Sequence, residues 1–282
     1  MDGVNIKSFN IEEDLFRIKH VKEKVYNKMD KTHFHNNYEV YYFLGGEKLF
    51  FINDKLYKCE KGDMIIISPH DLHRTSSIQS KDAERIIINF KYKFIENLIK
   101  MESISNIFIQ RDYNRIRFTV KGQIEIERNL HEIIKECETK EYNFKACIKA
   151  LLFMLLLKID RYSINVNEAE EESHNPMEQN VLNIAKYITN NFDKDISLNS
   201  IAKEFYISPS YLSRSFKKIT AFHMSEYIQI VRIREAQKLL RETKYKVIEV
   251  AEMVGFKQIA HFNKTFKKIT DTTPLKYKKS TR

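Results

Sequence analysis

The chain has 282 residues with 48 Lys and Arg against 38 Asp and Glu, more than one comfortable core holds, so two domains are the default expectation. The formal charge of +10 is lopsided: residues 1–176 carry 28 basic and 28 acidic side chains, whereas residues 177–282 carry 20 and 10. A basic domain joined to a neutral one suits a nucleic-acid binder with a separate module, and a disulfide framework or four-thiolate zinc site is excluded by three scattered cysteines, Cys59, Cys137 and Cys147.

Those cysteines read as small buried hydrophobes. Met1–Asp14 is mixed and acidic, without the basic and apolar regions of a signal peptide, so a cytoplasmic protein is expected. The longest apolar run, Ala150–Leu157, falls far short of the roughly 20 residues of a membrane span.

From His20 to Tyr92 the pattern alternates with period two in short β-branched and aromatic runs such as Val40–Leu44, Leu49–Ile52, Met64–Ile67 and Ile86–Phe90. Gly45-Gly46, Asn53-Asp54 and Lys61-Gly62 punctuate them as turns. The spacing leaves no room for crossover helices, so an antiparallel sheet or small barrel is expected, with an interior suited to a ligand. A short helix follows at Phe94–Met101, and then the period changes. Ile124, Ile126, Leu130, Ile133, Ile134 and Cys137 fall near helical spacing, as do Phe144, Ile148, Leu151, Leu152, Leu155 and Ile159. They predict a helical hairpin over 121–164. Its second helix is apolar around much of its circumference, more than one neighbour could cover, which makes Leu151, Leu152, Leu155 and Ile159 a candidate dimer surface; packing on its own barrel is the alternative.

Residues 165–176 are acidic at Glu168, Glu170, Glu171 and Glu172 and end in Asn175-Pro176, a flexible linker. Beyond it the sequence repeats. Phe216-Lys217-Lys218-Ile219-Thr220 recurs as Phe266-Lys267-Lys268-Ile269-Thr270, and Tyr227 as Tyr277, both at an offset of 50. Leu212 matches Phe262 likewise, and Ile201-Ala202 matches Val250-Ala251. Each copy reads helix, turn, helix. Ser197 caps a first helix, and Ser208-Pro209 starts a second; in the other copy Val247–Val254 precedes the turn at Gly255, and Gln258–Ile269 follows it. One long helix, about Ser225–Arg241, separates the copies.

These residues resemble the DNA-binding domain of the AraC/XylS family of transcription regulators. The resemblance rests on Ser208–Lys218, on Tyr227 with Arg232 and Ala236–Leu240, and on Val250-Ala251 through Val254-Gly255-Phe256 to His261-Phe262, Phe266-Lys267 and Pro274. The family's usual glycine after each Phe-Lys-Lys helix is replaced by Ala221 and Asp271, where altered caps are expected. The resemblance implies a multi-domain chain: a cupin-like sensory barrel (1–120), a helical hairpin (121–164), a linker (165–176) and an all-α DNA-binding domain (177–282). The implied partners are promoter DNA, RNA polymerase, a small-molecule effector and a second copy of the chain, with activation the favoured outcome.

With Leu212, Phe216 and Ile219 in one core and Phe262, Phe266 and Ile269 in the other, the opposite stripes are left for the major groove. These are Ser210, Ser213, Arg214 and Lys217 in the first unit, and Ala260, His261, Lys264 and Lys267 in the second. Arg214 is the leading base reader, since a guanidinium takes guanine O6 and N7 together. Lys218, Lys268 and Arg232 are expected as phosphate contacts or helix-stabilising charges. In the N-terminal region His33, His35 and Glu39, followed by Gly62, Pro69 and His73, resemble the pattern by which metal-binding cupins hold a divalent ion. A structural hydrogen-bonded pair is the more ordinary use, and no cofactor is expected. The competing function is a metal-dependent cupin enzyme fused to a DNA-binding domain. A DNA-repair methyltransferase would need a cysteine cluster that Cys59, Cys137 and Cys147 do not supply.

Overall fold

The computed structural model describes residues 4–23, 37–69, 71–77, 82–101, 114–164 and 175–280. The alternating runs form strands β1 (Val4–Ile11), β2 (Phe16–Glu23), β3 (Tyr38–Gly45), β4 (Lys48–Ile52), β5 (Lys55–Cys59), β6 (Asp63–Ile67), β7 (His73–Ser77), β8 (Ala83–Phe90) and β9 (Arg115–Arg117). They pair antiparallel in one sheet of order β1-β2-β8-β3-β6-β9 and another of order β5-β4-β7, facing each other as an incompletely closed barrel. The turns fall where the sequence signals them: Gly46 and Gly62 take φ of +80° and +85°, and Asn53 takes +56°.

Side chains of alternate parity separate two cores. Tyr41 and Phe43 join Phe50, Ile52, Tyr57, Ile65, Ile67 and Ile87 between the sheets. Val40 and Tyr42 face the other way with Ile18, Met64, Ile66, Ile86 and Ile88, against a helical layer. The larger sheet is therefore apolar on both faces, and Met64–Ile67 is a continuous apolar run for that reason.

After a 3₁₀ turn at Tyr92–Phe94 and the short α1 (Glu96–Met101), the helical layer is the hairpin of α2 (Val120–Thr139) and α3 (Phe144–Ile164). Leu152, Leu155 and Ile159 are fully buried in the sheet-facing core, and Leu151 packs against it. Of the expected dimer surface of Leu151, Leu152, Leu155 and Ile159, the last three are therefore corrected to core, and Leu151 stays half-buried. Most of the wide apolar surface of α3 is covered within its own chain, by α2 and the sheet, while Met154 stays exposed. Ile124 is 56 % exposed, although its spacing placed it in the core, and Cys147 is exposed, unlike the buried Cys59 and Cys137.

Residues 165–174 of the acidic linker lie outside the described residues. Asn175-Pro176 starts a helix instead of ending a coil: the Asn175 side chain accepts from the Glu178 backbone, Glu178 returns the bond, and Pro176 occupies the first turn. That helix, α4 (Pro176–Asn190), precedes α5 (Leu198–Glu204) and α6 (Pro209–Thr220), the first helix-turn-helix unit. The connecting α7 (Met224–Glu242) leads to α8 (Val247–Met253) and α9 (Ile259–Thr270), the second unit, and to α10 (Pro274–Ser280). Ser197 and Ser208 cap α5 and α6 as expected. Ala221 and Asp271 end α6 and α9 in the left-handed region at φ of +61° and +55°. The glycine position keeps its conformation although its residue has changed.

The outer face of the small sheet docks on the DNA-binding domain. Phe51, Leu56 and Leu72 complete the core of α4 to α7, and burying each such side chain is worth about 1.5–3 kcal/mol. The layers run from hairpin to large sheet to small sheet to first helix-turn-helix unit. No described helix is long and apolar enough to cross a membrane.

Candidate DNA interface and its link to the sheet domain

In α6, Leu212, Phe216 and Ile219 are buried, and Ser210, Arg214, Lys217 and Lys218 are exposed, with Ser213 on the flank. In α9, Phe262 and Phe266 are buried, Ile269 is partly so, and Ala260, His261, Lys264, Lys267 and Lys268 are exposed. One polar stripe per helix, opposite a packed stripe, is the arrangement that lets a helix enter a major groove. The last turns hold Lys217-Lys218 and Lys267-Lys268, cations that also complement the helix C-terminus. His261 rests edge-on against Phe256, ring centroids 5.3 Å apart.

Arg232, on α7, is half-buried and turned into the domain. Its Nε and Nη2 donate to the carbonyls of Phe192 and Lys194, each at 2.8 Å, and its guanidinium lies 5.8 Å from the Phe256 ring. Expected as a phosphate contact or a helix-stabilising charge, it uses these two donors inside the domain. Conversely, Asn263 is exposed on α9 and was missed. It stands 50 residues from Ser213, so the repeat offset itself was the signal. An amide there can pair with adenine N6 and N7. Tyr211, 39 % exposed and equivalent to His261, was missed in the same way.

Of the four candidate metal or effector residues, His33 and His35 lie outside the described residues, while Glu39 and His73 come together. His73 Nε2 stands 3.3 Å from Glu39 Oε2, with His73 4 % and Glu39 8 % exposed. Asn89 Nδ2 donates to Glu39 Oε1 at 2.6 Å. His73 Nδ1 lies 2.9 Å from the Asp71 carbonyl, and because a carbonyl only accepts, Nδ1 carries the proton and Nε2 is turned to the carboxylate. Burial, and then the Glu39 charge, hold the neighbouring Tyr41 hydroxyl well above its ordinary pKa. Glu39 and His73 thus form a buried polar pair at the end of the barrel.

The hydrogen bonds continue out of the barrel. Asp71 Oδ1 accepts from Asn53 Nδ2 at 3.0 Å, the Asn53 carbonyl accepts from Tyr227 Oη at 2.7 Å, and Asn53 Oδ1 accepts from Arg234 Nη1 at 2.6 Å. Nearby, Arg74 donates to the carbonyl of Ala221 at the end of α6. A cavity of about 220 Å³ opens between Asp71 and the α7 residues Arg234, Lys238 and Arg241. Polar groups at the end of the barrel are thus joined bond by bond to the helix that connects the two reading units.

Two helix-turn-helix units on a shared helix, preceded by a two-sheet domain, define a DNA-binding regulator with a sensory module. Residues 26–156 match the family model described as an AraC-like ligand binding domain, and residues 201–280 match a helix-turn-helix domain model. The chain belongs to the AraC family and is a DNA-binding transcription regulator with an N-terminal ligand-binding domain. It is 26 % identical over 250 residues to the Msm operon regulatory protein of Streptococcus mutans, covering 86 % of this chain and 84 % of that one. It is 24 % identical over 256 residues to the uncharacterized HTH-type transcriptional regulator YdeC of Bacillus subtilis, covering 88 % and 85 %. Among solved structures, ToxT from Vibrio cholerae aligns over 94 % of this chain and 98 % of its own at 13 % identity and a TM-score of 0.38.

Proposed function

We propose that this regulator is a cytoplasmic homodimeric activator, without enzymatic activity, whose N-terminal domain senses a small molecule and passes its state to the first reading unit. The observation that carries this reading is the unbroken series from Glu39 through His73, Asp71 and Asn53 to Tyr227 and Arg234. An effector that rearranges the polar end of the barrel changes the partners of α7, and a ligand shifts an equilibrium only through such a difference in contacts. The barrel interior is filled by aromatic and aliphatic side chains, so the effector binds at an end, beside Glu39 and His73 or in the adjoining cavity.

The test is a transcription reporter driven by the regulator's own promoter, with wild type compared with the Asn53→Gly/Tyr227→Phe double variant. Glycine keeps the left-handed turn while removing the Asn53 side-chain bonds, and phenylalanine keeps the core. The expected result is an output that no longer changes between conditions where wild type is on and off. A double variant that still follows wild type in both conditions refutes the coupling.

Two partners complete the proposal. A second subunit sits on the outer stripe of the hairpin, where Ile124 and Met154 remain 56 % and 46 % exposed. RNA polymerase is recruited by the DNA-bound form, as the family resemblance implies. Met154→Glu is expected to give a monomer in sedimentation; a dimer that survives it together with Ile124→Glu places the interface elsewhere.

A further inference from the structure

The two helix-turn-helix units have separate cores. One, around Phe216, draws on α4 to α7; the other, around Phe262 and Phe266, draws on α7 to α9. They share α7, and Ile269 near the end of α9 packs against both cores, a first and apolar contact between the units. A second junction lies on the segment between α4 and α5. Phe192 packs against both cores, and its carbonyl and that of Lys194 receive Arg232 from α7. The turn of the second unit presses on the same segment: a Cβ on Gly255 would lie 2.8 Å from the Asp193 carbonyl oxygen and 3.0 Å from Arg232 Nη2. Phe256 lies beneath the Arg232 guanidinium, and Lys257 pairs with Asp195 at 2.7 Å.

Arg232 therefore joins three pieces: the entrance to the first unit, the shared helix and the turn of the second unit. A planar guanidinium suits this task because its donors are held in a fixed fork, so two carbonyls two residues apart fix its plane. Lysine could reach one of them, and alanine neither.

We propose that Arg232 is a specificity-determining positioning residue: without touching DNA, it sets the spacing at which the two recognition helices read their target. The inference rests on the assignment of α6 and α9 as the reading helices. Successive major-groove faces recur about every 10–10.5 base pairs, so inserting one base pair turns the second segment by about 35° relative to the first. A rigid pair of reading helices rejects that rotation, and a hinged pair tolerates it.

The experiment uses the full chain and a DNA library in which the two segments selected by wild type are separated by spacers of varied length. Wild type is expected to prefer one spacer at least about 10-fold over spacers one base pair longer or shorter. Arg232→Lys and Arg232→Ala should bring those neighbours to within about 3-fold of the optimum while leaving the preferred bases inside each segment unchanged. If the variants lose affinity for all spacers alike and keep the wild-type discrimination, Arg232 is a phosphate contact and the proposal fails. A wild type that tolerates several spacers equally overturns it too. If wild type selects only one segment, the two-unit reading fails and takes this inference with it. Should both variants unfold, residual dipolar couplings of the DNA-free wild type decide: a common alignment of the two units supports the junction, and independent alignments refute it.

Discussion

Phe216 and Phe266 occupy the same place in two copies of one motif, both fully buried and both edge-on to a tyrosine, Tyr227 at 5.3 Å and Tyr277 at 5.6 Å. Their surroundings differ. Tyr227 is 1 % exposed and donates to the Asn53 carbonyl of the sheet domain, and the core around it includes Phe51, Leu56 and Leu72. Tyr277 is only partly buried, in a core formed by the DNA-binding domain alone. The helix ends diverge in the same way: the Ala221 carbonyl receives Arg74 from the sheet domain, whereas Asp271 is exposed. Two units that match in their core and charged positions are thus unequal in what can act on them. The first is within reach of the sensory domain, and the second reports to the first through α7 and the Arg232 junction.

The largest expected effects come from the two phenylalanines. Truncating a buried phenylalanine costs about 3–5 kcal/mol, so Phe216→Ala and Phe266→Ala should each destabilise strongly. Hydrogen exchange separates them: Phe216→Ala should speed exchange in α6 and also in β4, whereas Phe266→Ala should act on α8 and α9 and leave β4 protected. Loss of protection in β4 with both variants, or with neither, breaks the comparison.

On DNA the expected effects are smaller. Arg214→Ala should cost about 1–3 kcal/mol and relax preference at one or two base pairs, as for a lost bidentate contact. Asn263→Ala should relax preference in the segment read by the second unit, which gives that unit a directional reader beside its lysines. Lys267→Ala should weaken binding to all sequences alike and flatten the salt slope by about one unit. A randomised operator library at fixed salt checks all three. A uniform loss with Arg214→Ala would show it to be a phosphate contact.

The smallest effects sit at the helix ends. A left-handed non-glycine residue costs about 1–2 kcal/mol, and aspartate tolerates the region better than alanine does. Ala221→Gly should therefore stabilise by about 1 kcal/mol and Asp271→Gly by less, as read from thermal melts. Equal gains at both positions would show that aspartate is tolerated there no better than alanine.

The 50-residue repeat made the two reading units legible because each is a local device: the caps at Ser197 and Ser208 lie close in sequence to the apolar stripe of the first unit, and the turn at Gly255 lies close to that of the second. The strands and turns from β3 to β8 were legible for the same reason. Asn263 was open to the same reading through its offset from Ser213. What no periodicity could show is where the second face of an element goes. Leu152, Leu155 and Ile159 have the pattern of a subunit interface and are buried against the chain's own sheet. Arg232 has the charge of a phosphate contact and is held by two carbonyls some forty residues earlier in the chain. Glu39 and His73, far apart in sequence, form a buried pair tied through Asp71 and Asn53 to α7. Residue type determines which partners a side chain can accept. Which partner it receives is decided by the packing of layers distant in sequence, because burial removes water as the competing partner and leaves only the groups that the fold brings within bonding distance.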